Sequence, residues 1–209
     1  MFQSLLQFDC WLFVLINFHN SPAFDWVFWT ITQLGNGWVV APLLIGIICI
    51  KTPKNQLKKV LICGVLSMSV SGIINTQIKL LVKRPRPVCF FYNNSCNRPS
   101  TESIPSDIPR DELIDSSKVH VFGKVRLRNS FPSGHTNTAF SAATLLIYLY
   151  GGLFWISLLP AFLVAYSRVY LGVHFPLDTV VGAILGVVIV ISILYACRVK
   201  REFPGVKYD

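Results

Sequence analysis

Three short clusters of polar residues stand at the edges of long apolar runs, and each has the residue types that bind or attack a phosphate. Lys79 closes one apolar run and is followed by Lys83-Arg84-Pro85-Arg86-Pro87. The prolines stop a helix there and leave several cations at its end. A lysine at a helix C-terminus also complements the helix dipole and snorkels to a membrane interface, so Lys79 alone reads more readily as an anchor than as an anion ligand. Phe131-Pro132-Ser133-Gly134-His135-Thr136 opens a later apolar run. Backbone N–H groups at a helix N-terminus bind phosphate, the Ser133 hydroxyl can add a donor, and Gly134 permits close backbone approach. The plainer reading makes Ser133 an N-cap and His135 an interfacial histidine.

The third cluster, Ser167-Arg168-Val169-Tyr170-Leu171-Gly172-Val173-His174-Phe175-Pro176-Leu177-Asp178, lies between two apolar runs. His174 and Asp178 are four apart around Pro176, so one helical turn brings the carboxylate to the imidazole, where it can hold the tautomer and favour the cation. An ionisable pair at the end of a membrane span is a functional hypothesis by default. Arg168 adds a guanidinium suited to bidentate phosphate binding. His19 and His120 stand apart from these clusters and read as interface or loop residues.

The elements that carry these residues follow from composition. The chain has 209 residues, of which 53% are hydrophobic and 14% charged, with a mean hydropathy of +0.54. That excludes a water-soluble domain of this size, and also disordered, collagen-like and disulfide-scaffold classes. The formal charge of +9 suits anionic lipid or a phosphorylated substrate; nucleic acid is not expected as a partner, because DNA-binding domains display basic residues on a soluble fold. Uncharged runs extend from Trp26 to Ile50, Val60 to Ile78, Thr136 to Ser167 and Thr179 to Cys197, and Gly151-Gly152 divides the third. Gly35-Asn36-Gly37 breaks the first into a short aromatic piece, Phe24 to Leu34, and a spanning helix. Residues 2–18 alternate apolar groups with Gln3, Gln7, Asp9 and Asn17, which suits an interfacial helix or a polar sixth span. The expectation is a single all-α domain over residues 1–209: a polytopic transmembrane helix bundle of about six spans.

Lysines 51, 54, 58 and 59 and the cations Arg198, Lys200, Arg201 and Lys207 flank spans and place those ends in the cytoplasm. The Pro-, Ser- and Asn-rich segment 83–131, between the second and third clear spans, is then an outer extramembrane loop. The expected location is a plasma (inner) membrane, multi-pass, with the polar clusters on its periplasmic or extracellular face. The N-terminus shows neither a basic n-region nor a cleavage site, so insertion is expected to rely on the spans. Cys89 and Cys96 lie in the outer loop around Asn93-Asn94, where an oxidising compartment could join them. No metal-ligand spacing of Cys and His is present, and neither a metal nor a cofactor is expected.

Together, Lys-x6-Arg-Pro (Lys79 to Pro87), Pro-Ser-Gly-His (Pro132 to His135) and Ser-Arg-x5-His-x3-Asp (Ser167 to Asp178) resemble the three-part signature of the type 2 phosphatidic acid phosphatase (PAP2) superfamily, over roughly residues 20–198. The resemblance implies a metal-independent phosphoric ester hydrolase working through a phosphohistidine. It makes His174 the nucleophile, Asp178 the group that orients it, and His135 the general acid and base. Lys79, Arg86, Arg168, Ser133 and Gly134 would bind the phosphate, and Lys83, Arg84, Arg126 and Arg128 would attract anionic substrate. A catalytic layer at headgroup depth implies a lipid phosphate, with phosphatidylglycerophosphate, undecaprenyl diphosphate, lipid A and phosphatidic acid all fitting. A vanadium haloperoxidase shares such a site, but five hydrophobic spans speak against it. A membrane transporter would need neither a nucleophile nor its acid.

Overall fold

The computed structural model describes residues 2–92, 119–123 and 126–199, and these are helical apart from short connections. Helix α1 (Phe2–Asn17) leads to α2 (Pro22–Thr32), a 3-10 turn (Gln33–Gly35) and α3 (Gly37–Lys51). Then come α4 (Lys54–Val82), α5 (Pro87–Tyr92), α6 (Gly134–Tyr150), a 3-10 segment (Gly152–Ser157), α7 (Leu158–Tyr170) and α8 (Pro176–Ala196). Three stretches are long and apolar enough to cross a membrane: Lys54–Phe91, Gly152–Tyr170 and Pro176–Ala196. A fourth is gained if Pro22–Gly35 and Gly37–Lys51, which meet at 59°, form one broken span. The expected all-α membrane bundle is therefore present. The expected six spans go beyond this count, because α1 has 16 residues and α6 has 17, below the ~20 that a crossing takes. Leu43, Ile62, Ile73, Leu159, Phe162 and Ile184 are exposed apolar side chains on α3, α4, α7 and α8, a surface that suits lipid and not water.

Helix α6 is the axis of the bundle, packed against α3, α4, α7 and α8. It buries residues on every side, from Thr136 and Ala139 to Leu145 and Tyr150, as a central helix must. Its closest neighbour is α8, and the reason is a small-xxx-small pair, Gly182 and Gly186. A Cβ on Gly182 would stand 2.6 Å from the Ser133 carbonyl oxygen, and one on Gly186 would stand 2.7 Å from that of Asn137. The helices thus touch backbone to backbone, and the N-termini of α6 and α8 are held side by side, with Ser133 N–H donating to the Asp178 carbonyl at 2.8 Å.

The break in the first apolar run lies where Gly35-Asn36-Gly37 placed it. Asn36 caps α3 by accepting from the Trp38 N–H at 3.2 Å. Gly35 is required for contact and not for its turn alone, since a Cβ there would come within 2.8 Å of His135. At the opposite end of the bundle, Lys59 Nζ donates to the Arg198 carbonyl at 2.9 Å, so the two basic segments read as cytoplasmic share one end. Much of the expected outer loop, including Cys96, lies outside the described residues, as do Lys200, Arg201 and Lys207. Cys89, half of the expected cysteine pair, is a buried free cysteine.

Candidate active site

The three clusters of the sequence converge at the end of the bundle away from Lys59 and Arg198. A polar cavity of about 220 Å³ is lined there by Lys79 from α4, Arg86 from the turn after it, Gly134 and His135 from the start of α6, Arg168 from α7, and His174 from the linker that follows. Arg126, Thr32, Gln33 and Phe122 complete much of the wall. The volume is below the ~300–1,000 Å³ of pockets that enclose a whole drug-sized ligand. A phosphoryl group fits this space; a lipid does not.

His174 is held from behind. The linker Leu171–Phe175 turns through Gly172 at φ +71°, and the N–H groups of Val173 and His174 both donate to the Arg168 carbonyl, at 3.2 and 3.1 Å. Asp178, in the first turn of α8, accepts from the Phe175 N–H at 2.9 Å and so caps its own helix. Its Oδ2 lies 3.5 Å from His174 Nδ1, which bears out the reach expected of an i,i+4 pair around Pro176. Ser130 lies between them: its hydroxyl donates to Asp178 Oδ2 and stands 3.4 Å from His174 Nδ1. With the Ser130 hydrogen committed to the carboxylate, its oxygen is an acceptor, which assigns the proton to Nδ1. Burial holds the His174 pKa well below the usual histidine value; Asp178 pulls it upward, and Arg86 and Arg168 reinforce the fall. Burial thus favours the neutral ring, with Nε2 as its unprotonated nitrogen.

The cations are fixed with equal care. Arg86 is 4% exposed. Its Nη1 donates to the Val173 carbonyl at 2.9 Å and its Nε to the Arg128 carbonyl at 3.0 Å, so it ties the α4–α5 turn to the His174 linker. Arg168 Nη1 donates to Thr32 Oγ1 at 2.9 Å, while its Nε is buried and has no hydrogen-bond partner among the described residues. A buried guanidinium N–H without an acceptor is costly, and a ligand anion in the cavity would satisfy it. Lys79 Nζ lies 3.8 Å from where a Gly134 Cβ would be, so the ammonium is packed against the first turn of α6.

Two expectations are altered. Arg84, expected to attract substrate, faces inward: Nη1 donates to Asp178 Oδ1 at 2.7 Å and Nη2 to Asp9 Oδ2 at 2.6 Å. Two carboxylates outcompete solvent for a guanidinium within reach of both. Ser133 is fully buried and does not line the cavity; its oxygen accepts from Thr136 Oγ1 at 2.9 Å. Ser130 and Asp9 escaped the sequence reading, because neither has a spacing relation to His174. Among the described residues, no group of three His, Cys, Asp or Glu side chains is placed to hold a metal ion. His120 does not line the cavity and has Nε2 2.8 Å from Asp25 Oδ1; His19 contacts the Leu15 carbonyl at 2.6 Å on the surface.

Comparison with known proteins agrees over most of the chain. The model of the PAP2 superfamily matches residues 60–202. An undecaprenyl-diphosphatase of Sulfolobus acidocaldarius is 26% identical over 182 residues, 87% of this chain and 74% of that protein. A lipid A 4'-phosphatase of Bacteroides thetaiotaomicron is 30% identical over 190 residues, 89% of this chain and 75% of that protein. The crystal structure of LpxE from Aquifex aeolicus aligns with a TM-score of 0.65 at 30% identity, covering 88% of this chain and 93% of that one.

Proposed function

Because the chain belongs to the PAP2 superfamily and is thus a membrane phosphoric ester hydrolase, we propose that it removes phosphate from a lipid mono- or diphosphate, using His174 as nucleophile. The observation that carries this reading is the imidazole held at Nδ1 by Ser130 and Asp178 and lining one cavity with Lys79, Arg86 and Arg168. Nε2 attacks phosphorus as the ester oxygen departs, and Asp178 steadies the cationic ring that results. The negative charge of a bound phosphate offsets the surrounding cations and favours the protonated form of His135, which gives that proton to the leaving oxygen and then, neutral, takes one from the water that hydrolyses the phosphohistidine. The three cations spread positive charge over the equatorial oxygens, with the Gly134 N–H as a further donor, and electrostatics of this kind dominate phosphoryl transfer. Charge on that scale supplies without a metal ion what Mg²⁺ supplies elsewhere.

A lipid substrate is supported by what adjoins the cavity. An apolar groove of about 580 Å³ is lined by Val169, Pro176, Val180, Ala183 and Val187 of α7 and α8 and by Phe140 of α6. Of its lining residues, Val169 directly follows Arg168 and Pro176 is two residues from His174, so a headgroup in the cavity could lay its chain along α8. The relatives' names mention undecaprenyl diphosphate and lipid A, and phosphatidylglycerophosphate and phosphatidic acid fit the same chemistry. The shared end of Lys59 and Arg198 favours a cytoplasmic position for that end, and hence a site on the periplasmic or extracellular face of a plasma membrane. About six spans follow if α1 and α6 also cross.

The test is phosphate release by the purified full chain in detergent micelles, from a panel of these four lipids, beside His174→Ala. Release by the wild type with none from the variant is expected. No release from any lipid, or an active His174→Ala, contradicts the proposal.

A further inference from the structure

Helix α1 reaches the back of the site through one side chain. Asp9 is 3% exposed, and a carboxylate so deeply buried persists only when paired. Its Oδ1 accepts from the Leu177 N–H in the first turn of α8 at 2.7 Å, and its Oδ2 accepts from Arg84 Nη2 at 2.6 Å. The second arm of the same guanidinium meets Asp178 Oδ1 at 2.7 Å. The Arg84 head stands 4.4 Å from the Phe175 ring centroid, so its fork is fixed in place between two carboxylates. The chain of contacts runs from Asp9 through Arg84 and Asp178 to the imidazole of His174.

Resting on the assignment of His174 as nucleophile, we propose that Asp9 is a positioning residue for the reaction, dividing the charge of Arg84 so that Asp178 keeps its negative charge for His174. Two carboxylates and one guanidinium leave this trio one net negative charge beside the ring. A guanidinium given wholly to Asp178 would cancel the charge that steadies the cationic ring formed on attack. Asp9 takes half of that fork. The arrangement also fixes geometry, because the same carboxylate holds the Leu177 amide, one residue before Asp178. Arg86 and Arg168 act against protonation of His174, and Lys79, His135 and Arg126 line the same cavity. All of the cations oppose protonation, which makes the buried negative trio the group that offsets them.

The experiment compares wild type, Asp9→Asn, Arg84→Gln and the double variant, as full chains in micelles, on whichever panel lipid the wild type hydrolyses. Asp9→Asn should lower kcat by roughly 10–100-fold, the range found for groups that hold metal-binding side chains in orientation, with KM changed by less than about twofold. The acid limb of its pH profile should move to lower pH, since a negative charge near His174 has been removed. In the Arg84→Gln background, Asp9→Asn should add less than about twofold, because the two act in series. Wild-type kinetics in Asp9→Asn, or the same loss in both backgrounds, overturns the inference while leaving the phosphatase reading standing. A wild type inactive on every lipid removes that reading and this inference with it. Should Asp9→Asn not accumulate as folded protein, Arg84→Lys makes the same test: one ammonium cannot serve two carboxylates as a fork does. An unchanged kcat in that variant would then overturn the inference.

Discussion

His174 is committed on one nitrogen before substrate arrives. Nδ1 faces Ser130 and Asp178, and burial keeps the ring neutral by lowering its pKa well below the ordinary value. The sign matters for catalysis: a depressed pKa keeps the nucleophile unprotonated as pH falls through ~6.5, where an ordinary histidine would be lost. The acid limb of kcat/KM, corrected for the substrate's own titration, should therefore lie below pH ~6.5. Asp178→Asn should shift it lower still, because the carboxylate is the group that raises the pKa, and should reduce kcat as well. A limb at the ordinary histidine value in the wild type would contradict the buried, neutral assignment. Ser130→Ala leaves Asp178 and Nδ1 without their bridge, and a loss of roughly tenfold in kcat is expected. If Ser130→Ala instead raised KM alone, the hydroxyl would belong to substrate binding.

At the scale of the helix, the seam between α6 and α8 sets the site. Gly182 has no room for a Cβ against Ser133, so Gly182→Ala must push the N-termini of α6 and α8 apart. A loss of about 1–3 kcal/mol in stability is expected, as for overpacking generally, seen as a lower Tm together with weaker activity. A stable, fully active Gly182→Ala would mean that the seam does not position His135 against His174. The groove along α7 and α8 makes a second, separable prediction. Ala183→Phe should raise KM roughly tenfold for a long-chain lipid phosphate, the equivalent of ~1.4 kcal/mol, and leave a short-chain analogue unaffected; equal effects on both would show that the chain lies elsewhere. Much of this architecture was legible in the sequence. Polar groups at span ends stand out against apolar runs, and Gly35-Asn36-Gly37 announces a break. Ser130 and Asp9 were illegible, because they meet His174 and Arg84 across 44 and 75 positions of chain. Spacing carries no information at that separation, only the fold does. Arg84 was misread for the same reason: its two carboxylates come from α1 and α8, and without them it is one more surface cation.

For the molecule as a whole, the excess of positive charge is partly spent at the cavity, where Lys79, Arg86, Arg126 and Arg168 meet. Phosphate release should therefore persist in EDTA, and a loss restored by Mg²⁺ would show that these cations are insufficient. Vanadate, which takes the trigonal-bipyramidal geometry of the transferring phosphoryl group, should compete with substrate for the same cradle.

The central claim is that phosphorus passes through His174, and the most direct test is to trap it there. His135→Ala lacks the group that activates water, so with an aryl phosphate, whose leaving group needs little protonation, the phosphoenzyme should accumulate. Quenched in alkali, where a phosphohistidine survives, and digested for mass spectrometry, the protein should carry one phosphoryl group on the peptide containing His174 and none in His135→Ala/His174→Ala. A phosphoryl group on another residue, or continued turnover in His174→Ala, would contradict the account.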